Sequence, residues 1–138
     1  MRQHSENAAK VAAALAADPR VAAVYYPGLR DLGIVEAQFN GRERGGMVSF
    51  DIAGAGKAEV FRFLEALELA LPATTLGDVW SLVLYPAISS HRALSAEQRA
   101  EVGIGDGLVR LSVGIEDAGD VIADLDRALS AAVPAGVR

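Results

Sequence analysis

The stretch LVRLSVGIED, residues 108–117, is the part of the sequence that most clearly indicates the fold. Side chains of a β-strand point alternately to its two faces, and one of the two faces is wholly apolar here. The stretch therefore predicts a strand packed on a core, with a charged residue on its second face and a helix N-cap at Asp117. The apolar face holds Val109, Leu111 and Val113, and the second face holds Leu108, Arg110 and Ser112.

The segments before and after this strand mix helices and strands without the regular alternation of βαβ units. Helices are expected where apolar residues recur every three or four positions, and strands where β-prone runs end at turn residues. The order predicts an α+β fold, with a small, mostly antiparallel sheet and helices packed on one face. The expected helices are 5–17, 32–39, one from Gly56 that carries Val60, Leu64, Leu67 and Leu71, a short one behind the capping box Ser95 to Gln98, and one from Asp117; the expected strands are 21–26, 47–52, 72–76, 81–85 and 108–113.

Composition and charge restrict the classes of function. The chain has 138 residues, 51% apolar and 22% charged, which is typical of a folded soluble domain. A net charge of −5 without a basic run argues against a nucleic-acid or anionic-lipid partner. The absence of Cys excludes disulfides, thiolate metal sites and a Cys nucleophile, and it is consistent with a cytoplasmic protein. No apolar run is long enough to span a membrane, the N-terminus does not resemble a signal peptide, and the two His are too far apart to indicate a metal site.

Three residues are candidates for ligand binding. The guanidinium of Arg110 suits a carboxylate because its forked donors meet both oxygens, although an arginine on the solvent face of a sheet is the commoner arrangement. Thr75 lies in the segment 74–78, which can present hydroxyl and N–H groups to an anion or can simply end a strand. Trp80 is the only Trp, and it can line a pocket or pack in a core or interface.

A second group of polar residues has structural explanations. His91 follows Ser89 and Ser90, a combination that raises the hypothesis of a hydrolase with a nucleophile and a base. No acid partner or oxyanion-hole pattern accompanies it, so a structural histidine near a helix start is favoured. Lys10 and Lys57 are the only lysines, and their surroundings in the sequence indicate solvated surface positions.

Several stretches together resemble the C-terminal part of the Cys/Met-metabolism (trans-sulfuration) enzymes that depend on pyridoxal 5'-phosphate (PLP). That family includes cystathionine γ-synthase, cystathionine γ-lyase, methionine γ-lyase and O-acetylhomoserine sulfhydrylase. The matching stretches follow one another in order from Arg2 to about Leu129, and the last is the most specific to the family. They are His4–Ala8, Val24–Leu29, Gly45–Phe50, Thr75–Leu82, Pro86–His91, Glu97–Arg99 and Gly103–Asp117.

The resemblance implies how the chain is organised and what it lacks. Residues 1–132 are expected to form the single small domain at the C-terminal end of a fold-type-I PLP enzyme, and residues 133–138 a tail. The large PLP-binding domain is then a missing partner, and family enzymes are homo-oligomers that act on amino-acid substrates. Neither Lys10 nor Lys57 matches the family's Schiff-base lysine. We therefore expect PLP in the complete enzyme, no cofactor bound to this chain alone, and no turnover by it.

The same resemblance assigns roles to three residues. Arg110 matches the family arginine that binds the α-carboxylate of the substrate. Thr75 stands where the family usually has a serine that assists this carboxylate. Trp80 stands where many relatives have a glutamate linked to side-chain specificity, and a Trp can meet an ammonium group only through its ring face.

A hypothesis of another class is a non-catalytic α+β module that self-associates or binds an amino acid. On this hypothesis apolar side chains near the fourth strand are exposed and form an interface. Leu82, Leu84 and Tyr85 are the residues expected to do so.

Overall fold

The computed structural model describes residues 1–29 and 33–133. Helices and strands follow one another in the predicted order, and the α+β class is confirmed. The helices are α1 (Arg2–Ala17), α2 (Ile34–Phe39), α3 (Lys57–Glu65), α4 (Ala96–Glu101) and α5 (Ala118–Ala132); the strands are β1 (Val21–Tyr25), β2 (Met47–Ile52), β3 (Leu71–Pro72), β4 (Leu82–Leu84) and β5 (Leu108–Ser112). The predicted tail begins at Val133, the C-cap of α5, and its other residues lie outside the described part.

The five strands form one sheet in the order β1-β2-β5-β4-β3. β5 lies between β2 and β4 and pairs antiparallel with both, so that Arg110 stands opposite Ser49 on one side and Leu84 on the other. β3 pairs with β4 in parallel. The sheet is therefore mixed, and the expectation of a mostly antiparallel sheet is wrong. Strand direction could not be predicted here because β3 has only two residues, which carry no periodicity.

The three longest described helices pack on one face of the sheet and form the core with it. Phe63 of α3 meets Phe50 of β2 edge to face, with 5.8 Å between the ring centroids. Each fully buried aliphatic or aromatic side chain contributes about 1.5–3 kcal/mol relative to an exposed one, so this face supplies most of the stability. The core residues include Ala8, Val11 and Leu15 of α1, Val60 of α3, Val121, Leu125 and Leu129 of α5, and Val48, Val109 and Leu111 of the sheet.

The end of α3 differs from the sequence prediction. The helix stops at Glu65, so Leu67 and Leu71 lie outside it although they fit its apolar spacing. Asp124 of α5 is 3% exposed, and its carboxylate accepts the backbone N–H groups of residues 68–70 at 2.8, 3.0 and 2.9 Å. Those three amides bond to a side chain instead of to carbonyls one turn back, and the helix ends for this reason.

Two local predictions about helix starts are confirmed. Asp117 caps α5 by accepting the N–H of Gly119 at 2.7 Å. Ser95 and Gln98 form the capping box of α4, with the N–H of Gln98 3.3 Å from Ser95 Oγ. None of the described helices is long and apolar enough to cross a membrane.

The apolar residues of β4 are not exposed. Leu82, Leu84 and Tyr85 are 6%, 7% and 3% exposed, so the expectation that they form an open interface is wrong. β4 is an inner strand of the sheet, and the Tyr85 ring packs at right angles to the ring of Phe61, with 6.2 Å between centroids. The Tyr85 hydroxyl also donates to the carbonyl of Asp106 at 2.7 Å.

Candidate functional site

Arg110 lies on the face of the sheet opposite to the helices, as the alternation of β5 predicted. The residue is half-buried. Its Nη2 group donates to the carbonyl oxygens of Thr75 at 3.1 Å and Thr74 at 3.3 Å. Its Nε atom is buried and has no hydrogen-bond partner among the described residues. Two backbone carbonyls thus orient the guanidinium, while one of its donors is left unused.

No carboxylate among residues 1–29 and 33–133 forms an ion pair with Arg110. The other half-buried arginines among the described residues are all paired: Nη2 of Arg20 lies 2.5 Å from Asp18 Oδ2, Nη2 of Arg99 lies 2.6 Å from Asp106 Oδ1, and Nη2 of Arg44 lies 3.3 Å from Glu36 Oε2. In the first pair the hydrogen bond from Arg20 lowers the pKa of the Asp18 carboxyl below its ordinary value. A partly desolvated guanidinium is costly unless an anion meets it. Arg110 is therefore a cation whose surroundings suit an external anion.

Residues 73–81, here called the β3–β4 loop, connect β3 to β4 close to Arg110. The side chains of residues 74–80 on this loop are exposed. Its backbone is nevertheless fixed at several points by partners in α1, β5 and the residues after β5. The fixing bonds are Gly77 N–H to Ser112 Oγ (2.9 Å), His4 Nε2 to Asp78 O (3.1 Å), Ile115 N–H to Val79 O (2.9 Å) and Ser81 N–H to Glu116 Oε1 (2.6 Å).

The structure brings two of the three predicted site residues together. Thr75 meets Arg110 through its backbone carbonyl, whereas its hydroxyl has no hydrogen-bond partner in the described part of the chain. Trp80 stands at the far end of the same loop and is 56% exposed. Exposed Leu76 and Val79 lie between them on the loop. Thr75 and Trp80 thus both present unused side chains on a backbone that is held in place.

Sequence reasoning missed the buried polar residues that support the loop. Ser81 is fully buried, and its hydroxyl donates to Glu116 Oε2 at 3.0 Å and accepts the N–H of Gly114 at 3.0 Å. Asn7 is 1% exposed and donates to the carbonyls of Gly114 at 3.1 Å and Glu116 at 2.7 Å. These partners are 33 to 109 positions apart in the chain, so no local pattern links them.

The surroundings of His91 favour the structural interpretation. Its Nδ1 atom lies 2.8 Å from the hydroxyl of Ser90, and Ser89 donates to the carbonyl of Tyr85 at 2.6 Å. No carboxylate in the described ranges pairs with His91, so an orienting acid for a hydrolase is not found there. Within the same ranges, no group of three His, Asp or Glu side chains is arranged to hold a metal ion.

The model of the family described as Cys/Met metabolism PLP-dependent enzyme matches residues 1–130. The chain belongs to this family. A curated Cys/Met-metabolism enzyme, the L-methionine gamma-lyase of Pseudomonas putida, is 42% identical over 132 residues, which are 95% of this chain and 33% of that enzyme.

Solved structures of the Cys/Met-metabolism family have the same fold over nearly the whole chain. The cystathionine gamma lyase of Micromonospora echinospora has a TM-score of 0.84 at 43% identity and covers 94% of this chain and 34% of its own. The cystathionine gamma synthase of Xanthomonas oryzae pv. oryzae, solved with aminoacrylate and cysteine, has a TM-score of 0.84 at 43% identity and covers 96% and 34%. This chain therefore spans about a third of the length of these relatives.

The two lysines show whether the described residues fit the family's cofactor. Lys10 is exposed on α1, and Lys57 is exposed at the start of α3, with its Nζ 5.7 Å from the centroid of the Phe61 ring. Both helices pack on the face of the sheet opposite to Arg110. The described residues do not fit a site that holds PLP through a lysine beside Arg110, whereas they fit the anionic end of a ligand.

Proposed function

We propose that this chain is the substrate-carboxylate-binding, C-terminal domain of a PLP-dependent sulfur amino-acid enzyme. The type proposed is that of cystathionine γ-synthase, cystathionine γ-lyase and methionine γ-lyase. The observation that carries the proposal is the half-buried guanidinium of Arg110, which has no carboxylate partner among the described residues and a buried, unused Nε donor. This chain aligns with only about a third of the length of its relatives, which supports the view that it is one domain of an enzyme with a second, larger domain.

On this proposal, Arg110 orients the amino-acid substrate by binding its α-carboxylate. Because Nε is buried, the fork that a carboxylate can meet is Nη1 with Nη2, and the weaker carbonyl contact of Nη2, to Thr74 at 3.3 Å, can give way to a carboxylate oxygen. A forked pair of bonds fixes the direction of the amino acid as well as its position, which lowers the entropic part of the barrier. The hydroxyl of Thr75 and the ring of Trp80 then flank the ligand. When bound, PLP supplies the electron sink for this chemistry.

On this proposal, the chain alone does not turn over substrate. PLP is assigned to a large domain outside these residues, and a homo-oligomer of two-domain subunits is the expected working form. The chain's own contribution is to bind the α-carboxylate and to present the side chains of the β3–β4 loop to the substrate.

A non-catalytic module that self-associates is the second candidate. The observation that favours it is a set of exposed apolar side chains at one edge of the domain, which on the first proposal face the large domain. They are Leu76 (55%), Val79 (48%), Trp80 (56%) and Ile115 (47%).

Carboxylate binding can be tested on the chain itself. We would titrate the ¹⁵N-labelled protein with acetate and with L-methionine and follow the Arg110 Nε–H resonance by NMR. Arg110→Lys loses the fork, so its affinity should fall roughly tenfold. Arg42→Lys is the matched control because Arg42 is exposed and has no ion pair among the described residues. Equal affinity in the wild type and in Arg110→Lys contradicts the assignment.

Whether this chain can act as the C-terminal domain of a working enzyme can be tested with a chimera. In the chimera this chain replaces the matching 132 residues of the Pseudomonas putida L-methionine gamma-lyase. The chimera should catalyse PLP-dependent elimination, and Arg110→Lys in it should raise KM roughly tenfold or more with a smaller change in kcat. The isolated chain with PLP should show no covalent adduct after borohydride reduction and intact-mass measurement. A stoichiometric adduct at Lys10 or Lys57 refutes the assignment of PLP binding to a separate large domain. Tight self-association without carboxylate binding favours the second candidate.

A further inference from the structure

Glu116 makes no contact with the proposed ligand donors, yet its carboxylate holds one end of the β3–β4 loop. We propose that Glu116 is a positioning residue for Arg110. It fixes the loop through Ser81, and the loop in turn orients the guanidinium through the carbonyls of Thr74 and Thr75. This proposal rests on the proposed role of Arg110 in carboxylate binding.

Both oxygens of Glu116 are used by one residue. Oε1 accepts the N–H of Ser81 at 2.6 Å, and Oε2 accepts its hydroxyl at 3.0 Å. Ser81 is fully buried, and its oxygen also accepts the N–H of Gly114 at 3.0 Å. Hydrogen bonds to an ionised acceptor are about twice as strong as neutral ones, so this junction is the firmest point of the loop.

Glu116 is itself held from the other side. Asn7 on α1 is 1% exposed, and its Nδ2 donates to the carbonyls of Glu116 at 2.7 Å and Gly114 at 3.1 Å. This amide fixes the backbone that carries the carboxylate. The backbone of Glu116 is thus held in place by α1. These two bonds also give a structural reason for the asparagine in the His4–Ala8 stretch of the sequence.

The coupling from Glu116 to Arg110 runs along the loop backbone. From Ser81 the chain passes the carbonyls of Val79 and Asp78, which Ile115 N–H and His4 Nε2 contact at 2.9 and 3.1 Å, and then Gly77, whose N–H donates to Ser112 Oγ at 2.9 Å. It then reaches the two carbonyls that accept from Arg110 Nη2. The side chains of residues 74–80 are exposed, so apolar packing does not hold this part of the loop. Loss of the bonds at Ser81 therefore loosens the loop and releases the orientation of the guanidinium, while the core stays intact.

The test compares three variants of the chain by NMR. In Glu116→Gln the amide NH₂ replaces one acceptor, so the Ser81 hydroxyl loses its acceptor; Ser81→Ala removes the hydroxyl itself. Asp18→Asn is the matched control, because Asp18 also accepts a backbone N–H, from Arg20 at 2.9 Å, and a side-chain donor, Arg20 Nε at 2.9 Å, but at the far end of α1.

We expect amide hydrogen exchange at Gly77 and Ser81 to become roughly tenfold faster in Glu116→Gln and Ser81→Ala, and acetate to bind several-fold more weakly. The Arg110 Nε–H resonance should move in both variants. Asp18→Asn should lower Tm without changing any of these signals, which separates positioning from a general loss of stability.

The outcomes distinguish this proposal from the one on which it rests. Unchanged exchange at Gly77 together with an unchanged Arg110 Nε–H resonance in Glu116→Gln overturns the positioning role. If Glu116→Gln does not fold, the same two signals in Ser81→Ala decide. If the wild type does not bind acetate, the proposed role of Arg110 fails, but exchange and resonance position still decide whether Glu116 orients it.

Discussion

Adding a methyl group at Gly114 is expected to break the junction between the segment after β5 and the β3–β4 loop. A Cβ at this position would lie 2.3 Å from Glu116 Oε2, 2.4 Å from Val79 O and 2.6 Å from Ser81 N. Two of these atoms belong to the backbone. They cannot move away without loss of the bond from Ile115 N–H to Val79 O at 2.9 Å and the bond from Ser81 N–H to Glu116 at 2.6 Å.

The free energy of unfolding lost in Gly114→Ala follows from these contacts. Overpacking in a rigid environment costs about 1–3 kcal/mol. Loss of a hydrogen bond to a charged group adds about 1.5–3 kcal/mol. Reduced freedom of the unfolded chain returns about 0.4–1 kcal/mol. The net loss is about 2–5 kcal/mol, and at about 2–4 °C per kcal/mol it lowers Tm by roughly 5–20 °C.

Urea unfolding followed by far-ultraviolet circular dichroism measures this loss. Gly105→Ala is the control, because a Cβ there meets its nearest atom, Asp51 Oδ1, at 3.7 Å, an ordinary contact. The same entropy term enters both variants, so the difference between them isolates the steric effect. If Gly114→Ala is within about 1 kcal/mol of Gly105→Ala, the junction is not rigid and the reasoning is refuted.

Two further predictions concern groups away from the loop. Asp124→Ala leaves one buried and two partly buried amides, those of residues 68–70, without their acceptor. It should cost about 3–5 kcal/mol by urea unfolding, whereas exposed Asp126→Ala should cost about 1 kcal/mol or less. Burial, and then the charge of Asp106, raise the pKa of the Tyr85 phenol. The folded protein therefore keeps this proton above about pH 10, where the unfolded chain releases it, and stability falls as pH rises further. Tyr85→Phe should flatten this fall in Tm; an unchanged alkaline slope contradicts the burial of the phenol.

Local chemistry made much of the fold predictable. The alternation of residues 108–113 placed Arg110 on the correct face of β5, and the capping residues Ser95 and Asp117 marked helix starts that the structure confirms. Each of these features depends on neighbours within four positions, a range over which a single chain carries its own information.

Features that depend on distant partners could not be predicted. Leu67 and Leu71 fit the helical spacing of α3, but Asp124 takes the amides that would continue the helix. The bonds that support the β3–β4 loop could not be predicted for the same reason, since Asn7 and Glu116 are separated by most of the chain. Neither the pairing of Asp124 with the amides of residues 68–70 nor that of Asn7 with Glu116 changes the hydrophobic periodicity of the sequence.

The parallel pairing of β3 with β4 has a consequence for how such a domain can diversify. Because both strands run in the same direction, residues 73–81 must travel back along the sheet between them. The return path is also fastened through its main chain, at Gly77, Val79 and Ser81. Insertions and deletions are therefore penalised, whereas exchanges of outward side chains such as Trp80 are nearly free. Substitutions at the exposed positions 74–80 can therefore change the chemistry of this surface one side chain at a time while the fold of the domain is kept.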